Sequence, residues 1–228
     1  MSAAVLKKRF ESDLGGLLDW QSRPAPETVP TGIAEVDGAI GGLPRGSLTE
    51  IYGPASSGRT SLLISILAAA TARQEACALV DAGDAFDPVS AEAAGVLLQR
   101  VLWIRCGHNA EHALKAVDLL IQGGGFGLVA MDLGDTPPAI ARRISMVSWF
   151  RLRRAVEYTP TVLVTLARQS NAKTCASLML ECAREGVDWT GVGDCARPCS
   201  RLLRGMSIRV ARRKPSAIGA AHVLLPLW

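Results

Sequence analysis

No stretch of this chain approaches the roughly 20 apolar residues that cross a bilayer, and no leading segment joins a basic start to an apolar stretch and a small-residue cleavage site. Neither membrane insertion nor secretion is expected, and a cytoplasmic protein is. The sequence also lacks a Cys-x-x-Cys pair. Its six cysteines, Cys77, Cys106, Cys175, Cys182, Cys195 and Cys199, read as reduced thiols rather than a disulfide framework. Four of them crowd positions 175 to 199, but their spacing matches no familiar zinc module, so zinc is not expected. His108 and His112, four positions apart, read as surface or capping residues rather than a metal pair.

What is present begins with size. The 228 residues, 49% of them hydrophobic, suffice for one globular α/β domain with a small appendage. Charge divides unevenly along the chain. Residues 1 to 136 carry 10 Lys and Arg against 16 Asp and Glu, whereas residues 137 to 228 carry 15 against 5, so the overall +4 conceals a strongly basic second half. A polyanion or an acidic protein partner suits that half, with a solvated basic face as the alternative.

The densest signal is Ile51-Tyr52-Gly53-Pro54-Ala55-Ser56-Ser57-Gly58-Arg59-Thr60-Ser61, followed by the apolar run Leu62 to Ala70. It reads as a strand, a glycine-rich loop and a helix. Such a loop turns successive backbone N–H groups toward phosphate oxygens, and the helix N-terminus adds its partial positive charge. Gly53, Pro54, Ser56, Ser57, Gly58, Arg59, Thr60 and Ser61 are therefore the candidate nucleotide-binding residues. The lysine of a P-loop is replaced by Arg59, a planar fork in place of a compact point charge. Further on, Leu128-Val129-Ala130-Met131-Asp132 is an apolar strand ending in a carboxylate, the Walker B pattern. Thr60 and Asp132 are thus candidate Mg²⁺ ligands, the alternative for Asp132 being a strand-to-loop cap.

Around this centre, residues 1 to 20 suggest an amphipathic helix with Val5, Leu6 and Phe10 on one side, and Pro24, Pro26 and Pro30 mark an extended linker. Arg100 to Cys106 reads as a short buried strand and Asn109 to Gln122 as a helix. Ala139 to Tyr158 reads as a helical region bearing Arg142, Arg143, Arg151, Arg153 and Arg154 with Trp149 and Phe150 between them, a mixture that suits nucleic acid or a protein hot spot. Thr161 to Ala167 is a further core strand. Leu202 to Pro215 alternates apolar and basic residues as a strand does, which adds Arg209, Arg212, Arg213 and Lys214 to the candidate DNA or partner contacts, and His222 to Leu225 is a last short strand.

Thr31-Gly32, Gly41-Gly42-Leu43-Pro44, Gly46, and Glu50-Ile51-Tyr52-Gly53-Pro54 through Ser56-Ser57-Gly58 make this stretch resemble the RecA recombinase family's approach to its P-loop. The likeness continues through Cys77-Ala78-Leu79-Val80-Asp81 to Asp87-Pro88. It implies an α/β RecA-like core over residues 31–228, with a mostly parallel twisted sheet flanked by helices, preceded by the helix and linker of residues 1–30 and without a RecA-type C-terminal domain. It also implies ATP with Mg²⁺ as cofactor and Asp87 as a further nucleotide contact. Departures are as informative. Where RecA-like ATPases place a water-activating glutamate this chain has Gly83; the neighbouring Asp84 is a substitute only if its side chain reaches the same face, which an extended backbone forbids. Arg168 falls where the family has its γ-phosphate-sensing glutamine. Only six residues separate Asp132 from Ala139, too few for one family DNA loop, and a Cys-bearing insert at 171–201 replaces the other.

With Leu43-Pro44-Arg45-Gly46, Leu102-Trp103-Ile104-Arg105 and Ser148-Trp149-Phe150-Arg151-Leu152-Arg153-Arg154 added, the chain is similar to the ImuA proteins, RecA-like accessories of bacterial translesion synthesis in the SOS response. That resemblance implies partnership with an ImuB-type polymerase homologue, an error-prone DNA polymerase and RecA, while the basic second half is expected to engage DNA or partners. The expectation is an adaptor with a degenerate nucleotide site that also modulates RecA. The enzyme alternative is a slow DNA-dependent ATPase or recombinase with Arg59 serving for lysine and Asp84 for glutamate.

Overall fold

Short apolar runs alternating with amphipathic stretches give a chain that alternates strand and helix. The computed structural model describes residues 26–189, 203–215 and 220–226. The expected N-terminal helix, Cys195 and Cys199 lie outside these. A two-stranded ribbon pairs β1 (Thr28–Val29) with β2 (Leu43–Pro44) around helix α1 (Ala34–Ile40). The main sheet is built from β3 (Ser47–Tyr52), β4 (Cys77–Asp81), β5 (Val101–Arg105), β6 (Leu128–Asp132), β7 (Val162–Ala167), β8 (Leu178–Trp189), β9 (Leu203–Lys214) and β10 (Ala220–Pro226). Its order is β5-β4-β6-β7-β3-β8-β9-β10, parallel from β5 to β8 and antiparallel beyond.

The central strands β4 and β7 are buried at every position, as strands covered on both faces must be. On one face Ile51, Leu79, Ala130 and Val164 meet α2 (Arg59–Ala72) through Leu62, Leu63, Ile66 and Leu67. On the other, Leu48, Val80, Val129 and Leu163 meet α4 (Ala110–Gly123) through Ala113, Val117 and Ile121, and α6 (Met146–Val156) through Trp149, Leu152 and Val156. Two small helices complete the set, α3 (Pro88–Ala93) and α5 (Pro138–Ala141).

Three expectations change. The strand read as buried at 100–106 is the sheet's edge, with Leu102 47% exposed. The helical region read as 139–158 is two helices, because Arg142 to Ser145 leave the helix and Ser145 starts α6 by accepting the N–H of Ser148. Within the region read as a Cys-bearing insert, β8 instead joins the sheet beside β3, and Cys175 and Cys182 are core residues.

At the N-terminal ends of the parallel strands a polar network closes the sheet. Arg45, just before β3, donates to Glu75 Oε1 at 2.6 Å and to the Pro160 carbonyl at 2.8 Å, and Arg73 donates to the same carboxyl oxygen at 3.0 Å. Burial pushes the Glu75 carboxyl up, but the hydrogen bonds from Arg73 and Arg45 outweigh it and hold the group below its ordinary value.

Candidate functional site

The parallel register brings the other ends of these strands together. Tyr52 stands opposite Ala167 and Glu181, and Asp132 opposite Leu166 and Asp81. The segments that follow β3, β4, β6 and β7 therefore leave the sheet at one edge, the place where open α/β sheets bind ligands.

Residues 53–58 turn there from β3 into α2. Ser56 and Gly58 take left-handed φ of 56° and 85°. A Cβ on Gly53 would run into the Cys182 carbonyl of β8, so the loop starts with backbone pressed against backbone. Gly58 offers no side chain to cap α2, which leaves the first N–H groups of this 14-residue helix to whatever enters the loop. Pro54, Ser56 and Thr60 are exposed and Ser61 is half-buried, while Ser57 turns inward and its Oγ is buried with no protein partner.

Arg59 is only 7% exposed, with its Nη1 buried and unpartnered. Burial lowers its pKa; Asp132 works against that, and Arg168 adds repulsion. A Cβ on Gly134 would lie 2.8 Å from Asp132 Oδ1 and 3.5 Å from Arg59 Nη2, which places carboxylate and guanidinium along one wall without an ion pair between them. Asp132 Oδ1 already accepts the Gly134 N–H at 2.6 Å. Burial pushes the Asp132 carboxyl up to about 6, and the nearby Asp81 adds to the rise. Arg168 closes the far side: its Nε donates to the Gly134 carbonyl at 3.0 Å and its Nη2 lies 3.5 Å from Asp135.

The water-activating position is filled in another way. A Cβ on Gly83 would meet the Asp135 Cβ at 2.9 Å, so a side chain there has no room while the 133–136 turn stands as it does. Asp84 is not extended, as the sequence implied, but left-handed at φ 53°, and its carboxyl takes Arg105 Nε at 3.3 Å on the sheet edge. Asp87 is the N-cap of α3, accepting the N–H groups of Val89 and Ser90 and the Ser90 hydroxyl at 2.5 Å, and these bonds hold its carboxyl below the ordinary range. Its observed role is to start this helix. The buried Asp81 organises the same segment, accepting from Gly83 N–H, Phe86 N–H and the Trp103 indole.

Of the candidate DNA or partner contacts, Arg142, Arg143, Arg151, Arg153 and Arg154 are exposed on or beside α6. Trp149 is not among them. At 1% exposure it is the largest fully buried side chain, and the aromatic on the outer face is Phe150, half exposed beside Val147. Several basic residues of β9 have partners in the sheet: Arg209 lies 3.7 Å from Glu185, Arg213 donates to Glu181 at 2.7 Å, and Lys214 holds the Thr174 and Ala176 carbonyls, while the Arg212 Nε is buried with no partner.

Three functional residues escaped the sequence. Asp135 and Cys182 act through tertiary contacts that no local pattern announces. Glu50 had a signal, a charged residue inside an apolar strand. It is 1% exposed, and its carboxylate accepts the Asn171 and Ala172 N–H groups at 2.5 and 2.8 Å and the Ser170 hydroxyl at 2.8 Å, fixing the segment after Arg168 to β3. Cys182, its thiol pushed up to about 12 by burial, is a packing group rather than a thiolate.

These residues fit the phosphates of a nucleotide, because the loop presents free N–H groups and two orphaned polar atoms. Toward a divalent ion the fit is poorer: Asp132 Oδ1 is engaged by the Gly134 N–H, and the Arg59 guanidinium stands near the same carboxylate.

The RecA N-terminal domain family matches residues 5–137. Among individual proteins, RecA of Mesorhizobium japonicum is 35% identical over 154 residues, covering 60% of this chain and 42% of that protein. RecA of Symbiobacterium thermophilum is 38% identical over 135 residues, covering 58% and 38%, and RecA of Deinococcus radiodurans is 33% identical over 160 residues, covering 63% and 44%. This chain thus spans less than half the length of the curated relatives it matches. A loop entering α2 at the carboxyl edge of a parallel sheet, an apolar strand ending in Asp132 and this match lead to one conclusion: the chain belongs to the RecA N-terminal domain family.

Proposed function

We propose that this protein is a RecA-type accessory of the DNA damage response, an adaptor in translesion synthesis that keeps a nucleotide loop and does not turn nucleotide over. The observation that carries it is at Gly83: the space a side chain would take there is held by Asp135, whose carboxylate is paired with Arg168 at 3.5 Å instead of being free to activate a water. Asp84 is no replacement while it is directed to Arg105. The sequence resemblance to ImuA proteins supports the pathway and the partners, an ImuB-type polymerase homologue, an error-prone polymerase and RecA. The outer face of α6, with Val147, Phe150, Arg151 and Arg154, offers the contact surface for one of them, since exposed apolar side chains with arginines between them are the composition of interface hot spots.

Phosphate release from ATP, with and without single-stranded DNA, tests the reading. The expected result is no release above the blank in either case. Sustained turnover that disappears in Arg59→Ala would replace the adaptor with the slow ATPase. A salt titration on single-stranded DNA tests contact with nucleic acid, where a steep loss of affinity with salt marks the arginines of α6 as phosphate ligands.

A further inference from the structure

Two polar atoms in the loop have no protein partner, and both sit on residues more than nine-tenths buried: Ser57 Oγ, at 1% residue exposure, and Arg59 Nη1, at 7%. Orphaned atoms also occur elsewhere among the described residues, as at Thr49, Trp149 and Thr165, but these two lie where the first N–H groups of α2 have no side-chain cap, and one anion at that turn completes the whole set. In a P-loop site with lysine, a divalent ion bound near the Walker B carboxylate supplies much of the positive charge facing the phosphates. Here that charge is already built into the chain. Arg59 lies along the same wall as Asp132, and Arg168 reaches the next two residues, through the Gly134 carbonyl at 3.0 Å and Asp135 at 3.5 Å. A magnesium ion brought to Asp132 would come close to the Arg59 guanidinium, with that of Arg168 on the turn that follows. It would also have to share a carboxylate whose Oδ1 is engaged by Gly134 at 2.6 Å. Two arginines carry together the charge of one magnesium ion, and a planar guanidinium can hold two phosphate oxygens at once.

We propose that Arg59, backed by Arg168, takes the place of the divalent cation, so that the loop binds the phosphates of a nucleoside triphosphate without magnesium. The inference rests on the loop being a nucleotide site and adds what that site requires of its ligand. Its cost to the protein is specificity of response: metal-free and metal-bound nucleotide are different ligands, and this site favours the first.

The test is titration of ATP into the full-length protein in EDTA and again in excess magnesium, with thermal unfolding in the same two buffers as a second readout. The expected affinity in EDTA equals or exceeds that in magnesium, and the nucleotide raises the melting temperature in both. Arg59→Lys, which restores the compact cation, is expected to reverse the order, so that magnesium strengthens binding by about five-fold or more. Binding by the wild-type protein that demands magnesium overturns the inference, as does an Arg59→Lys protein that folds and binds with unchanged metal dependence. Absence of binding in both buffers overturns it too, yet leaves the adaptor standing; turnover of ATP would remove the adaptor and leave the metal dependence to be read from the same titrations.

Discussion

At the amino ends of the parallel strands, Arg45 and Arg73 converge on Glu75, and every participant has a partner within 3.0 Å. At the carboxyl ends, 14 residues earlier in the chain than Arg73, Arg59 is more deeply buried than either arginine, shares a wall with Asp132, and makes no ion pair with it. The ingredients are the same, guanidinium and carboxylate out of solvent. At one end the carboxylate is paired with two guanidiniums, although Glu75 Oε2 and Arg73 Nη1 keep no partner of their own; at the other, guanidinium and carboxylate stand apart, which is destabilising unless something enters. The contrast separates a closed end of the sheet from an end held open.

The largest expected effect comes from breaking the closed end. Arg45→Met leaves Glu75 with one partner and the Pro160 carbonyl with none, and urea denaturation should show a loss of about 2–4 kcal/mol. Next is an attempt to rebuild the missing glutamate: Gly83→Glu meets Asp135 and should cost about 1–3 kcal/mol without producing ATP turnover, while adding Asp135→Gly should recover most of that stability. A stabilised pair rather than two independent losses is what a double-mutant cycle would report.

Acid separates the two ends by sign. The Glu75 carboxyl is held below its unfolded value, so its contribution is fully present above about pH 4.5 and is lost as pH falls through the lower folded value. Glu75→Gln should flatten this part of the stability profile. The smallest effect, and the sharpest contrast with Arg45→Met, belongs to Arg59→Met. Removing an unpaired buried guanidinium should leave the ligand-free protein within about 0.5 kcal/mol of the wild type or raise its stability. A loss as large as that of Arg45→Met would erase the distinction between the ends.

Much of this was legible before the structure. Apolar runs of strand length, the glycines at 53 and 58, and the strand ending in Asp132 located the carboxyl edge because each is a local pattern. Gly83 could be recognised as a lost carboxylate, but the side chain that fills its space, Asp135, lies 52 positions away and is placed by sheet register. Glu50 binds a segment more than 120 residues distant, which no window captures. Trp149 was misassigned because the region read as one helix is two, and the break before Ser145 sets a phase that turns Trp149 inward and Phe150 outward. Asp87 followed from a likeness, although Asp87-Pro88 is also a plain helix start, and the cap is what formed.

The contact between Gly53 and the Cys182 carbonyl gives the molecule a lever. β8 runs on past that point to Trp189, paired there with the antiparallel β9, which in turn carries β10. Since the loop's first residue has no side chain between its backbone and the Cys182 carbonyl, the position of the outer ribbon along β8 sets where the loop begins.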